Sequence, residues 1–449
     1  MSLADGSTAH WKGLARTATS HRSRTDAMDW ALSAAPILVV FAELTLLGVN
    51  SGVLAAGAAL TNVLLLAVLA GLMVRRTSVF AALTPVLILV MCAAAWGLAM
   101  GRFSIVPSEA PLEAAKLLGL LSLLVCGVLA GARRARSRLF CGVLAAAGGV
   151  YAVGSFWLYE ADPFRVMGVV KVTHTWRFTG TLLNANVAGV VFGMICLTAL
   201  GWVQSLLGRN RLIESRPVLV AAGLGAALIS LVACGFTGSR MAFAWTVVLG
   251  AVLCLVVIFK PRAAEASHGV PRTAALVAVA ASILLAAGLG VSKVLIREDS
   301  AADTFIGRLD ALHRFIDLAL QRPFAGWGLG AFDQVNQSTL TTASAADMYD
   351  FGAVHSSLVQ AFLEGGAPYL FLLCTAGLMV VLQVAANWRH IVDGWSRGLA
   401  AAVTLAAVCS LDDIDLNVPA VAGLATLMLG VLWGRAIVVQ GRALQEAPR

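Results

Sequence analysis

The stretch RLDALHRFIDLALQRPFAGWGLGAF (residues 308–332), followed after a polar spacer by HSSLVQAFLEGG (355–366), decides how the chain is organised. It occupies the longest segment without a membrane-spanning run, inside a sequence that is otherwise nearly all apolar helix. Leu309, Leu312, Ile316 and Leu320 recur at helical spacing, so 308–323 reads as an amphipathic helix. Arg308, Asp310, Arg314, Asp317 and Arg322 fall largely off that stripe, which suits a helix lying on a membrane surface. Pro323 stops the helix. The glycines of GWGLG (326–330) give a backbone able to approach a ligand closely. His355 then stands just ahead of a helix entering the membrane, with Ser356 and Ser357 able to cap it.

Around this stretch the composition sets the class. Hydrophobic residues make up 59% of the 449 and charged residues 12%, which excludes a soluble domain. A span needs about 20 mostly apolar residues. Twelve such runs fall at 30–49, 53–74, 79–100, 113–132, 139–158, 181–204, 217–236, 240–259, 273–292, 365–386, 398–411 and 418–438. No alternating polar and apolar pattern suggests a membrane β-barrel. The eight cysteines all sit in apolar runs and read as small packed hydrophobes, not disulfides. The first run lies behind a polar leader and is long enough to stay in the membrane, unlike a cleaved signal peptide. The expected fold is an all-α polytopic membrane protein of about twelve transmembrane helices, with an amphipathic-helix loop on one face.

Charge orients it. Arg75 and Arg76, the cluster Arg133, Arg134, Arg136 and Arg138, then Arg209, Arg211 and Arg216 fall in alternate loops. Lys260, Arg262, Arg272, Arg389, Arg397 and both polar termini continue the series. Basic residues are retained in the cytoplasm, so both termini are expected inside. The net charge of +8 is then a topology signal and no sign of nucleic-acid binding. The expected organisation is a cytoplasmic tail (1–28), transmembrane helices one to nine (29–292), a periplasmic loop (293–364), helices ten to twelve (365–438) and a second cytoplasmic tail (439–449). Arg177, Arg240, Arg308, His355, Glu364 and the acidic run 412–415 then share the outer face, where nucleotide donors are absent and an activated donor must be carried by a lipid.

Four motifs stand at that face. RFTGTLLNANVAG (177–189) places Arg177, Asn184 and Asn186 at a helix start. Amides there are costly unless paired, so they are either interhelical ties or part of a site. TGSRMAFAW (237–245) sets Arg240 at a helix N-terminus among hydroxyls, which suits a phosphate and equally a snorkelling arginine. Arg308 and Arg314 lie on the amphipathic helix, where solvation alone accounts for a charged face. His355 can take a proton from a hydroxyl near neutral pH, although a lone histidine is more often structural, and Glu364 stands nine residues beyond it. Asp413 and Asp415 form a carboxylate pair that could hold a divalent ion with phosphate, or simply acidic residues favouring the outside. No histidine or cysteine cluster has zinc spacing.

In this order the motifs resemble the O-antigen ligase/polymerase family, over roughly residues 177–366. The resemblance implies a GT-C-like polytopic glycosyltransferase of the bacterial inner membrane. Such an enzyme moves a glycan from undecaprenyl pyrophosphate to an acceptor hydroxyl at the periplasmic face, by inverting, metal-independent chemistry with no cofactor. By position His355 matches the family's periplasmic histidine and is implied as the catalytic residue. Arg177, Arg240 and Arg308 match arginines implied to hold the pyrophosphate. Glu364, Asn184, Asn186 and Arg314 are implied as supporting residues. The family often has Asn-Pro-Asn where this chain has Asn184, Ala185 and Asn186, and His-Asn where it has His355 and Ser356. The implied partners are the lipid-linked glycan donor, a lipid A–core or glycan acceptor, and membrane lipid. Ligase and repeat-unit polymerase both fit, with the single long outer loop favouring ligase. Protein O-glycosylation is a further relative, and a transporter is the rival of another class. A transporter would show ionisable groups near mid-membrane, and only Glu43 lies well inside a span.

Overall fold

The computed structural model describes residues 27–49, 51–71, 77–207, 217–258, 301–342, 345, 348, 349 and 351–446. Helices run in the order α1 (Ala27–Thr45), α2 (Gly52–Gly71), α3 (Thr77–Gly101), α4 (Glu109–Gly131), α5 (Arg134–Ala161), α6 (Ala185–Leu207) and α7 (Pro217–Phe236). They continue with α8 (Arg240–Ile258), α9 (Ala301–Gln321), α10 (Phe332–Ser338), α11 (Ser357–Ala386), α12 (Gly394–Cys409) and α13 (Pro419–Glu446). Among the described residues nine helices are long and apolar enough to cross a membrane, and α8 and α12 are shorter apolar helices. Together they meet eleven of the expected runs; the run at 273–292 lies outside the described residues. The chain is an all-α polytopic membrane protein. Helix α13 continues to Glu446, past the expected end at 438. The strands among the described residues, β1 (Arg165–Val166) and β2 (Val169–Val170), pair as an antiparallel ribbon between α5 and α6.

The bundle is built on α6, which is buried over almost its whole length, and on the contact of α4 with α13. Lipid tails give helices no hydrophobic drive to associate, so close backbone packing has to supply it. A Cβ on Gly127 would stand 2.3 Å from the Leu427 carbonyl oxygen, and one on Gly430 would stand 2.3 Å from that of Leu124. Only small residues permit α4 and α13 to approach so far. Large apolar side chains on the outside of α2, including Leu60, Leu64 and Val68, are left to the lipid. Glu43, the carboxyl well inside a span, is buried and accepts a hydrogen bond from Asn62 Nδ2 of α2 at 2.9 Å.

Two expectations about the central stretch change. The glycine-rich turn approaches protein backbone instead of opening toward a ligand. Helix α11 is broken at Gly366 (φ 73°, ψ 178°), and the turn fills the break. Trp327 and Gly328 donate their N–H groups to the carbonyls of Leu363 (2.8 Å) and Glu364 (2.9 Å), while Ala367 N–H donates to Pro323 O (2.7 Å). The Trp96 indole from α3 closes the set on Gly365 O at 3.0 Å. Irregular backbone at membrane depth is tolerated where protein satisfies it. A Cβ on Gly366 would lie 2.0 Å from Phe324 O, so glycine is needed for both angle and space. The second change is the face of α9. Ala311, Phe315, Leu318 and Ala319 are buried against Phe332, Val335, Val354 and Leu363, while Leu309 and Leu320 are exposed. The apolar arc of α9 is wider than the leucine stripe. Its small and aromatic members fill the fold, which leaves leucines at the surface.

Candidate active site

The loop between α12 and α13 carries the acidic run, and Asp413 is its centre. Its side chain is buried, 7% exposed, yet three groups from distant parts of the chain reach it. His355 Nδ1 lies 3.2 Å from Oδ1. Arg308 Nη2 donates to Oδ2 at 3.3 Å, while Arg308 Nη1 donates to Asp412 Oδ2 at 2.8 Å and to the Asp412 carbonyl at 3.2 Å. Asn186 Nδ2 donates to Asp413 Oδ2 at 2.8 Å. The Ile414 N–H completes the set on Oδ1 at 2.8 Å. The local reasons are plain: α12 ends at Cys409, α11 begins just after His355, and α6 begins at Ala185, so three helix ends meet at one end of the bundle.

Asn186 passes the connection on. Its Oδ1 accepts from Arg177 Nη2 at 2.9 Å, and Arg177 Nε donates to Thr237 O at 2.9 Å. Arg177 Nη1 donates to His174 Nδ1 at 2.9 Å. Arg177 is only 5% exposed, and three of its nitrogens are committed in this way. It therefore works as a tie between α6 and the turn that opens α8. Arg240 begins α8, half-buried, three residues beyond Thr237. Asn184 caps α6, its Oδ1 accepting from Asn186 N–H at 2.8 Å and Val187 N–H at 3.3 Å.

Electrostatics separates the two buried aspartates. Burial alone would raise the Asp413 carboxyl. The hydrogen bond from His355, the charges of His355 and Arg308 and the Ile414 N–H together hold it down to about 2. Asp415, 1% exposed, is pushed well above the usual carboxylate range by burial and by the neighbouring Asp413 charge. Both Asp415 side-chain oxygens are without a hydrogen-bond partner among the described residues. An ionised Asp413 requires the proton on His355 Nδ1. Nε2 has no hydrogen-bond partner among the described residues. The Phe351 ring stands edge-on to the imidazole at 4.9 Å and fixes its plane.

Two expected supporting residues lie elsewhere. Arg314 Nη1 donates to Asn336 Oδ1 at 2.7 Å and its Nη2 to Thr339 Oγ1 at 2.9 Å, which clamps α10 onto α9. Glu364 is buried and accepts from Gly330 N–H and Gln360 Nε2, each at 3.1 Å. Gln360 Oε1 in turn accepts from Val354 N–H at 3.1 Å and Asn417 Nδ2 at 2.6 Å. Glu364 thus braces the backbone beside His355 through one intermediate. Among the described residues no group of three or more His, Cys, Asp or Glu is placed to hold a metal, and both Asp413 oxygens are already engaged.

Sequence reasoning named Asp413 only with Asp415, as a carboxylate pair for a divalent ion or as outer acids, and it missed both the junction at Asp413 and Gln360. The spacing of Asp413 ahead of the last span, shared with no basic residue nearby, was the one available signal. Residues 225–374 match the family model described as O-Antigen ligase. No curated protein matches the chain. The matched region holds Arg240, Arg308, Arg314, His355 and Glu364, while Arg177, Asn186 and Asp413 lie outside it and meet it in space. Through residues 225–374, a third of its length, the chain is similar to the O-Antigen ligase family.

Proposed function

We propose that this protein transfers a glycan from undecaprenyl pyrophosphate to an acceptor hydroxyl at the periplasmic face of the inner membrane, as an O-antigen ligase acting on lipid A–core. The observation that carries the reading is the junction at Asp413, which joins His355 to Arg308 directly and to Arg177 through Asn186. A base and a cation held by one carboxylate suit a reaction that takes a proton at one point and builds negative charge at another. His355 Nε2 accepts the proton of the acceptor hydroxyl as that oxygen bonds to the anomeric carbon. The bond from that carbon to the pyrophosphate oxygen breaks, and the pyrophosphate leaves with the electron pair. Arg308 and Arg240 stabilise the charge so formed, and Arg177 positions the junction. Attack opposite the leaving group inverts the anomeric centre, and no metal takes part.

The single long outer loop favours ligation, and repeat-unit polymerisation is the second reading. Deleting the gene tests that choice. Loss of surface O-antigen with accumulation of long lipid-linked polymer is expected. Accumulation of single lipid-linked repeats would make the protein a polymerase, and unchanged surface glycan would remove the reading.

A further inference from the structure

The ribbon at 164–176 is absorbed by neither the spans nor the reaction. It is internally fastened: Lys171 N–H donates to Phe164 O at 2.9 Å, Phe164 N–H donates to Asp162 Oδ1 at 2.9 Å, and Tyr159 OH donates to Trp176 O at 3.0 Å. Its inner side buries Val166 and Lys171. Phe164, Met167, Val169, Val170, Trp176 and, at 90%, Val172 are exposed. A two-stranded ribbon is marginal in water by itself, and a contiguous apolar surface of this kind marks a contact.

The structure also indicates the occupant. Val150, Val153 and Trp157 form an exposed stripe on α5 that runs up to the ribbon, with Trp157 71% exposed. As part of a membrane span that stripe faces lipid, and the ribbon's apolar side continues it. Trp157 and Trp176 bracket the transition, where indole rings favour the membrane–water boundary. Exposed Glu160 and Arg165 cancel in charge, so apolar contact is what this surface offers.

We propose that the ribbon at 164–176 is an interfacial anchor, seated by its apolar side in the headgroup–acyl boundary of the leaflet at the site end of the bundle. Lys171 gives the anchor a second effect. Its buried ammonium donates to Arg177 O at 2.8 Å, so the depth of the ribbon in the leaflet is transmitted to the arginine that ties the candidate site. The proposal rests on the membrane-spanning fold and is independent of the reaction proposed above.

The test uses the purified full chain in vesicles of phosphatidylethanolamine and phosphatidylglycerol. These contain a phospholipid with a diazirine near the headgroup end of one acyl chain. After irradiation and digestion, mass spectrometry is expected to find lipid adducts on 164–176 at a yield comparable to those on 150–157. The double variant Met167→Asp, Val172→Asp is expected to lose the ribbon adducts several-fold, because charged side chains resist the boundary, with adducts on 150–157 and the unfolding temperature retained. If that variant does not fold, Val172→Asp alone carries the comparison. A ribbon without adducts while 150–157 is labelled overturns the proposal, as does capture of the ribbon by protein-to-protein cross-links between copies in the same vesicles.

Discussion

Helix α12 has an aspartate at each end, and the two are partnered differently. At its start, Asp393 takes Arg134 Nη2 at 2.9 Å and Arg138 Nη2 at 2.8 Å. It also accepts the Gly394 N–H at 2.8 Å, and Ser396 Oγ accepts the Asp393 N–H at 2.7 Å in a capping box. Beyond its end, Asp413 takes an arginine, an amide and an imidazole. The first set holds two arginines and a cap, and what it leaves without a partner is a guanidinium nitrogen, Arg138 Nε. The second leaves an imidazole nitrogen without a described partner, and beside it a buried acid, Asp415, with neither oxygen paired. An aspartate–arginine pair is therefore no sign of chemistry. The group the carboxylate shares with the arginine decides.

The largest effect should separate the two ends. Replacing His355 with Ala is expected to lower turnover by about 10²–10⁴-fold, the range of an acid–base group, in protein that still inserts and unfolds normally. Asp413→Asn should follow at about 10²-fold or more, since the imidazole loses the partner that sets its tautomer. Replacing Asp393 with Ala should leave turnover per folded molecule unchanged. Equal losses at Asp393 and Asp413 in a reconstituted transfer assay would erase the distinction.

Arg308→Lys comes next. A point charge cannot span Asp412 and Asp413 as the guanidinium fork does, and about a tenfold loss is expected, the worth of one charge-assisted hydrogen bond. Full activity in the lysine variant would show that the fork is dispensable. In stability the ranking reverses: Asp393→Ala removes a cap and two partly exposed ion pairs. It should cost about 1–2 kcal/mol in detergent unfolding.

The acids also differ in their response to pH. Asp413 is held down to about 2, so its contribution to stability is complete above the usual carboxylate range near 4 and is lost as pH falls toward about 2. Asp415 is raised, so it contributes at low pH and its contribution is lost as pH rises above that range. Asp415→Asn should therefore raise the unfolding temperature at pH 7, and Asp413→Asn should flatten the acid limb of the stability curve. A lowered unfolding temperature for Asp415→Asn at neutral pH would mean that its carboxylate is ionised and paired. The smallest expected effect is that of EDTA, which should leave transfer intact. Loss restored by Mg²⁺ would return the acidic loop to metal binding.

The spans were legible because apolar length is written along one dimension, and eleven expected runs coincide with helices. His355 and Asn186 were legible because ionisable and amide groups at helix starts are costly without a reason, and Arg308 because it opens the motif that resembles the family's. What joins them was not. Asp413 meets Asn186 across 227 residues, Arg308 across 105 and His355 across 58, and no local pattern records such a meeting. The ribbon at 164–176 escaped because its apolar residues are too few to span and too short to announce strands. The buried side of α9 was misread because alanines and a phenylalanine, not the leucines, fill the fold.

The position of Asp413 in the chain also bears on how the protein is made. Asn186, Arg308 and His355 leave the ribosome well before it, and the carboxylate that joins them arrives on the loop ahead of the final helix. A nascent chain threaded into the bilayer as far as α12 holds Asn186, Arg308 and His355 and lacks the junction itself. Assembly of the site thus waits for the closing hairpin of α12 and α13. An incomplete polypeptide therefore carries these groups unjoined during its own synthesis.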